Sequence, residues 1–329
     1  MMRNLRRLPK AHLHLHLDGA MRPATLAELA GAAGLPVPTL PAHGSFEAFG
    51  NAMEAAAGAV RRPDELARLV GEVVEDAAAD GAVWAEVSVW PGFLRGRLGP
   101  DELVIERLLD AGTRASQEHG VGFGLMVAAN RNRGPEEAVR LAELAATFAG
   151  QGVVSFGLDG DEAAHPAASY AWAFEIAKSA GLLCTPHAGE LRGPDSVQSA
   201  LDHLHPDRIL HGVRAWEDAD VTERLVAHPV ALDVCPTSNV ALGVYADLRR
   251  HPLPRLLEAG VACSINADDP LMFGTSLLGE FEACRQAFRL TDDQLADCAR
   301  VSLRGSGAPK ETIAKGLDGV DAWVSEAAS

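Results

Sequence analysis

The run Ala11-His12-Leu13-His14-Leu15-His16-Leu17-Asp18-Gly19 alternates three imidazoles with aliphatic residues and stops at an Asp-Gly turn signal. In a β-strand successive side chains point to opposite faces. Read as a strand, the run puts His12, His14 and His16 on one face and Ala11, Leu13, Leu15 and Leu17 on the other. The apolar face fits a layer of packed helices. A face of imidazoles has no packing explanation, and imidazole is the commonest metal-ligating side chain. Such a strand needs further ligands from elsewhere in the chain.

Working outward, Pro23 near a first turn begins a helix that ends by Gly34, and Ser45 is a plausible N-cap for a second helix carrying Phe46, Phe49 and Met53. A helix over 63–80 leads to Ala82–Trp90, which alternates as a strand with Glu86 and Ser88 on one face. Helices and strands then take turns. Strands are expected near 121–129, 152–158, 182–187, 207–211, 229–235 and 261–267, and the remainder after 274 is helical. Eight strands alternating with helices imply a parallel sheet. The expected fold is α/β, a (β/α)8 TIM-type barrel with extra helices after strand one and at the C-terminus. No composition break marks a linker, so residues 1–329 are expected to form a single domain. No G-x-G-x-x-G follows an early strand, which argues against a dinucleotide-binding sheet.

In such barrels the chemistry sits at the C-terminal ends of the strands. Strand one delivers His14, His16 and Asp18 there, and strand four runs into Asp159, Gly160, Asp161 and Glu162. Strand five ends in His187-Ala-Gly-Glu190, strand six in His211, and strand eight in Asp268-Asp269-Pro270. Zinc accepts imidazole nitrogen and carboxylate oxygen, and a catalytic zinc keeps one position for water. His14, His16, His187 and Asp268 supply that donor set, although ligand type alone also admits Fe(II), Co(II) or Mn(II). Glu190 could donate a proton, and His211 could handle or orient the water.

Composition narrows the function. The chain has 329 residues, 47% hydrophobic and 22% charged, an ordinary globular balance. A net charge of −16 argues against nucleic acid or an anionic membrane surface as partner. Five dispersed cysteines without C-x-x-C spacing give no disulfide framework and suit a reducing compartment. No apolar segment reads as a signal peptide or a membrane span, so a cytoplasmic location is expected.

Six ordered segments carry a resemblance that covers nearly the whole chain. They are Leu13–Ala20, Gly160-Asp-Glu162, His187-Ala-Gly-Glu190, Arg208-Ile-Leu-His-Gly212, Cys235-Pro-Thr-Ser-Asn239 and Asp268-Asp-Pro270. The sequence resembles the adenosine deaminase family of metal-dependent hydrolases in the amidohydrolase superfamily, whose fold is the same barrel. The resemblance implies one zinc ion per chain held by His14, His16, His187 and Asp268. Glu190 would protonate the purine N1 as water adds to C6. His211 would orient or deprotonate that water, and Asp268 would help hold it. Asp269 would bond N7, the Gly160 N–H would meet N3, and Asp18 would reach the sugar 5′ oxygen. The zinc-bound His16, with Phe46 and Phe49, would also border the substrate. The H-x-E…P-C-x-x-C signature of cytidine-type zinc deaminases is absent.

These residues predict zinc-dependent deamination of a 6-aminopurine nucleoside, adenosine or 2′-deoxyadenosine by default. A modified adenosine such as 6-aminodeoxyfutalosine is the runner-up, and free adenine comes after it, since members acting on the base tend to carry Glu where Asp18 stands. A non-catalytic nucleoside-binding protein is the reading of another class. Three places depart from the family: Gly157-Leu-Asp159 for a more usual Asp-Leu-Ala, Met53 for an aromatic, and Ser306–Pro309 without a Phe. Other residues take blander readings. His12, deeper in the strand, is expected to be a core residue. His43, His119, His165, His203, His205, His228 and His251 are expected at the surface. Phe46, Phe49 and Met53 form a buried stripe or an apolar lid, and Trp84 and Trp90 are packing.

Overall fold

The computed structural model describes residues 2–38, 46–228 and 230–326; His43 and the Ser45 cap lie outside them. Eight strands form the centre: β1 (Lys10–His12), β2 (Ala82–Val89), β3 (Gly122–Asn130), β4 (Val153–Asp159), β5 (Leu183–Ala188), β6 (Arg208–His211), β7 (Ala231–Val234) and β8 (Cys263–Ile265). All neighbours pair in parallel and in chain order. Parallel neighbours need a crossover, and a helix lies between each pair, so both faces of each strand are covered. The near-continuous burial of β2, β3 and β4 follows from this. This is the (β/α)8 barrel read from the alternation, with strand eight back beside strand one.

Pro opens the helices Pro23–Ala32, Pro63–Ala79, Pro135–Thr147 and Pro194–His203, where its missing N–H costs nothing. The extra helices stand where they were expected. Pro23–Ala32 and Phe46–Ala59 follow β1, and Leu277–Phe288, Asp292–Gly305 and Lys310–Ser325 close the chain. Asp292–Gly305 is held by a Thr291/Gln294 capping box and packs on β8 and β1. There Ser302 Oγ takes the Ala11 N–H at 2.9 Å.

The first strand is shorter than its alternation predicts. Its ladder stops at His12 because Asn266 Oδ1 takes the next two N–H groups, of Leu13 (2.7 Å) and His14 (3.2 Å). Beyond that break the chain rejoins the barrel at its rim. Asp268 N–H donates to the His14 carbonyl and His16 N–H to the Asp268 carbonyl, each at 3.0 Å. The β8–β1 seam is therefore closed by the residues proposed as ligands. The break also parts the histidines: His12 lines an outer cavity with Leu15 and helix Pro63–Ala79, so the three do not share a face.

Beneath the rim the interior is filled by a buried polar network. Arg208, fully buried, donates to Glu86 Oε2 (2.7 Å) and Asp233 Oδ2 (2.8 Å). Ser264 Oγ donates to Asp233 Oδ1 (2.6 Å) and accepts from Asn266 Nδ2 (2.7 Å), which ties the floor to the seam. Trp84, buried as expected, donates its indole N–H to Glu86. Among the described residues no helix is long and apolar enough to cross a membrane.

Candidate active site

The rim gathers His14 and His16 after β1, Asp159 and Gly160 from β4, His187 and Glu190 from β5, His211 from β6, and Asp268 and Asp269 after β8. His14 Nε2 stands 3.1 Å and His16 Nε2 3.3 Å from Asp268 Oδ1. The His187 ring centroid lies 4.9 Å from that of His14 and 5.3 Å from that of His16. The far nitrogens of these rings face acceptors. His14 Nδ1 is 3.1 Å from the Asp233 carbonyl, and His187 Nδ1 is 3.2 Å from the Leu158 carbonyl and 3.1 Å from Asp159 Oδ1. Asp159 Oδ2 is also 3.8 Å from His16 Nδ1. An imidazole fixed at Nδ1 by a carbonyl or carboxylate presents Nε2 as its ligand atom. Donor atoms of His14, His187, His211 and Asp268 fall within 4.8 Å of one another, and His16 forms such groups with Asp268 and Asp269 and with Asp159 and His187.

Buried polar atoms without a hydrogen-bond partner are rare in folded proteins. Here His14 Nε2, Asp18 Oδ2, Glu190 Oε1 and Asp269 Oδ1 are all in that state, and all belong to this rim. The donor chemistry fits a divalent cation, because His14 Nε2, left as a lone pair by the bond at Nδ1, faces the Asp268 carboxylate and no hydrogen-bond donor.

The carboxyl groups are driven in opposite directions. Burial raises Glu190 well above the usual carboxylate range, and the charges of Asp268 and Glu162 add to that. Burial and the neighbouring Asp268 likewise raise Asp269, and burial lifts Asp18 to about 6. For Asp268 burial acts upward too, but His14 and His16 outweigh it and hold the group well below its ordinary value. Burial acts upward on Asp159 as well, but His187 and His16 outweigh it, so Asp268 and Asp159 are held low while Glu190 and Asp269 are held high.

Local backbone explains how these groups converge. His211 (φ 64°) and Asp268 (φ 61°) both adopt the left-handed conformation, uncommon for residues with a side chain. At the end of β6 this turns His211 onto the rim, where its Nε2 lies 3.4 Å from Glu190 Oε1 and 3.7 Å from Asp268 Oδ2. Gly19 is required by contact: a Cβ there would lie 1.8 Å from Asp269 Oδ1. Gly160, at φ 95°, would press a Cβ against Asn130 Oδ1. Phe49 stacks on Phe273 with centroids 5.6 Å apart, Phe46 lies 5.9 Å from Phe49, and Met53 is buried.

Several residues at the site were not readable from the sequence. Asp159 was placed at the end of strand four and noted as a departure from the family pattern, but was given no role, and it lies behind two of the imidazoles. The Glu162 carboxylate accepts four successive N–H groups, those of Gly189, Glu190 (3.1 Å), Leu191 (2.8 Å) and Arg192 (3.1 Å). It therefore shapes the loop that carries Glu190. Ser238 Oγ donates to Asp268 Oδ2 at 2.6 Å. His251 is not a surface residue: it is buried between Tyr245 and Phe288 and bonded to Asn239. His12 is a core residue, as expected, and its Nε2 accepts the Ala267 N–H at 3.3 Å.

The sequence profile described as "Adenosine deaminase" matches residues 9–323. The chain belongs to the adenosine deaminase family. It is 44% identical to a putative adenosine/adenine deaminase of Streptomyces virginiae, over 98% of both chains. It is 38% identical to an adenine deaminase of Sinorhizobium medicae, over 93% of this chain and 96% of that one. Among solved structures, an adenine deaminase from Arthrobacter aurescens superposes with a TM-score of 0.90 at 30% identity, covering 97% of this chain and 99% of the other. Membership makes the chain a hydrolytic deaminase acting on a C–N bond, of the adenosine/adenine type.

Proposed function

We propose that this deaminase removes ammonia from C6 of a 6-aminopurine nucleoside, adenosine or 2′-deoxyadenosine, with one zinc ion held by His14, His16, His187 and Asp268. The observation that carries this reading is the convergence of four buried, unpartnered polar atoms on one rim. A bound cation would lower the pKa of a water there and so supply the nucleophile at neutral pH. The chain's own groups do the rest. Glu190, kept protonated by its burial, gives its proton to N1 and makes C6 the better electrophile. Asp269, neutral for the same reason, donates to N7, and the Gly160 N–H meets N3. His211 and Asp268, with Nε2 and Oδ2 3.7 Å apart, would hold the attacking water between them. Collapse of the C6 adduct releases ammonia and leaves the inosine-type product.

Asp18 supports the nucleoside over the free base, since a buried carboxyl with one unpartnered oxygen suits a sugar hydroxyl. Free adenine is the second reading, favoured by the relatives that are named adenine deaminases. A modified adenosine such as 6-aminodeoxyfutalosine would use the same ring contacts. The groups assigned to proton transfer are all present, which speaks against a non-catalytic nucleoside binder. Ammonia release from adenosine, 2′-deoxyadenosine, 6-aminodeoxyfutalosine and adenine at equal concentration separates these readings. The largest kcat/KM is expected for one of the two unmodified nucleosides. A preference for adenine would move Asp18 away from a sugar role.

A further inference from the structure

His251 lies outside the rim, yet a chain of hydrogen bonds leads from it to His211. Leu253 N–H donates to His251 Nδ1 at 3.2 Å. A backbone N–H can only donate, so His251 Nδ1 is an acceptor and its ring proton resides on Nε2. His251 Nε2 lies 3.1 Å from Asn239 Oδ1, which therefore accepts. That orients the Asn239 amide, whose Nδ2 then donates to His211 Nδ1 at 3.1 Å. His211 Nδ1 is thus an acceptor as well, and the proton of the neutral ring sits on Nε2, facing Glu190 and Asp268. The direction of every bond follows from one unambiguous donor. His251, Asn239 and His211 are buried, so water does not compete for these bonds.

We infer that the Leu253–His251–Asn239 chain locks His211 as its Nε2–H tautomer, which makes His251 and Asn239 positioning residues. Two consequences follow. First, geometry alone admits His211 to the group of candidate metal ligands. Ligation through Nε2 would move the proton to Nδ1, against the Asn239 N–H, and set donor against donor. The lock therefore keeps His211 out of the ligand set and leaves that place to His16. Second, His211 presents a donor to the attacking water. Its N–H would orient the water oxygen but cannot receive the water's proton at Nε2; loss of that proton to another base would free the lone pair that attacks C6. The acceptor facing the same space is the Asp268 carboxylate. The consequence for catalysis rests on the proposed deamination. The tautomer does not, and it can be read without substrate.

The test uses the zinc-loaded protein with ring-15N histidine and a long-range proton–nitrogen correlation spectrum. The His211 signals are identified by their loss in His211→Gln. Nε2 of His211 is expected to carry the directly bonded proton and Nδ1 to show the shift of an unprotonated nitrogen. A proton on Nδ1 would overturn the inference, whether or not any purine is turned over. In His251→Phe, which keeps the stacking but offers no donor, His211 is expected to mix tautomers. There kcat should fall about 10- to 100-fold, with KM and zinc content unchanged. His251→Gln, which offers an amide N–H at similar reach, should recover most of kcat and the single tautomer. An unaltered His211 spectrum and kcat in His251→Phe would remove His251 from the account. Should that variant not fold, the wild-type spectrum and His251→Gln still decide the question.

Discussion

Glu190 and Asp268 face the same small space, and their different neighbours separate their protonation states. Burial, with carboxylates beside it, raises Glu190 well above the usual carboxylate range, while His14 and His16 hold Asp268 well below it. An acid poised to donate and a base poised to accept are thus made from the same functional group by environment. Replacing Glu190 with Gln keeps the shape and removes the proton, so kcat should fall at least about 100-fold while zinc stays bound. Steady-state kinetics with metal analysis checks this; lost zinc in that variant would mean that Glu190 is misassigned. At this scale much was legible. His14, His16, His187, Glu190, His211, Asp268 and Asp269 each stand in a motif and meet at one rim. The parts played by Asp159, Ser238 and His251 were not, because their meaning lies in partners brought close by other elements. His251 looked like a surface residue at a helix end and is buried through packing that no local pattern records.

Elements bring further constraints. The loop after β5 owes its shape to the loop after β4, through the Glu162 carboxylate and four consecutive N–H groups. Removing that carboxylate with Glu162→Ala strands those donors in a buried place. It should lower kcat about 10- to 100-fold by loosening Glu190, with added formate restoring part of the activity. A variant with unchanged kcat would show that the loop holds its shape unaided. Alternation identified β1 but misjudged its length, since a side chain from beyond β8, Asn266, replaces the ladder after His12. Period-two reasoning also could not foresee the left-handed backbone at His211 and Asp268, which aims both residues inward.

The whole molecule holds its rim on a buried charged floor. Arg208 is paired to Glu86 and Asp233 with no exposure of any partner, and removing one member leaves the others desolvated and unpaired. Arg208→Met should cost about 3–5 kcal/mol in urea unfolding. A second buried carboxyl, Glu280, is raised to about 7 by burial, and it accepts bonds from Thr237 N–H and Thr275 Oγ. Its folded pKa exceeds its unfolded value, so the folded state holds the extra proton and stability falls as pH rises from about 4.5 to 7. Glu280→Gln escapes that loss. Its advantage over the native chain in urea unfolding should be absent below that window, grow through it and stay level above pH 7. An advantage independent of pH would refute the assignment.

The barrel itself was legible because eight helix–strand units leave few other architectures. How it closes was not, because the β8–β1 seam depends on a few atoms. The account as a whole is tested most directly by stripping the protein of metal with a chelator, restoring zinc stepwise and following ammonia release from adenosine. The rate should rise linearly and stop at about one zinc per chain, with one inosine formed per ammonia. Full activity in the stripped protein, or no release of ammonia from any 6-aminopurine at saturating zinc, would contradict it.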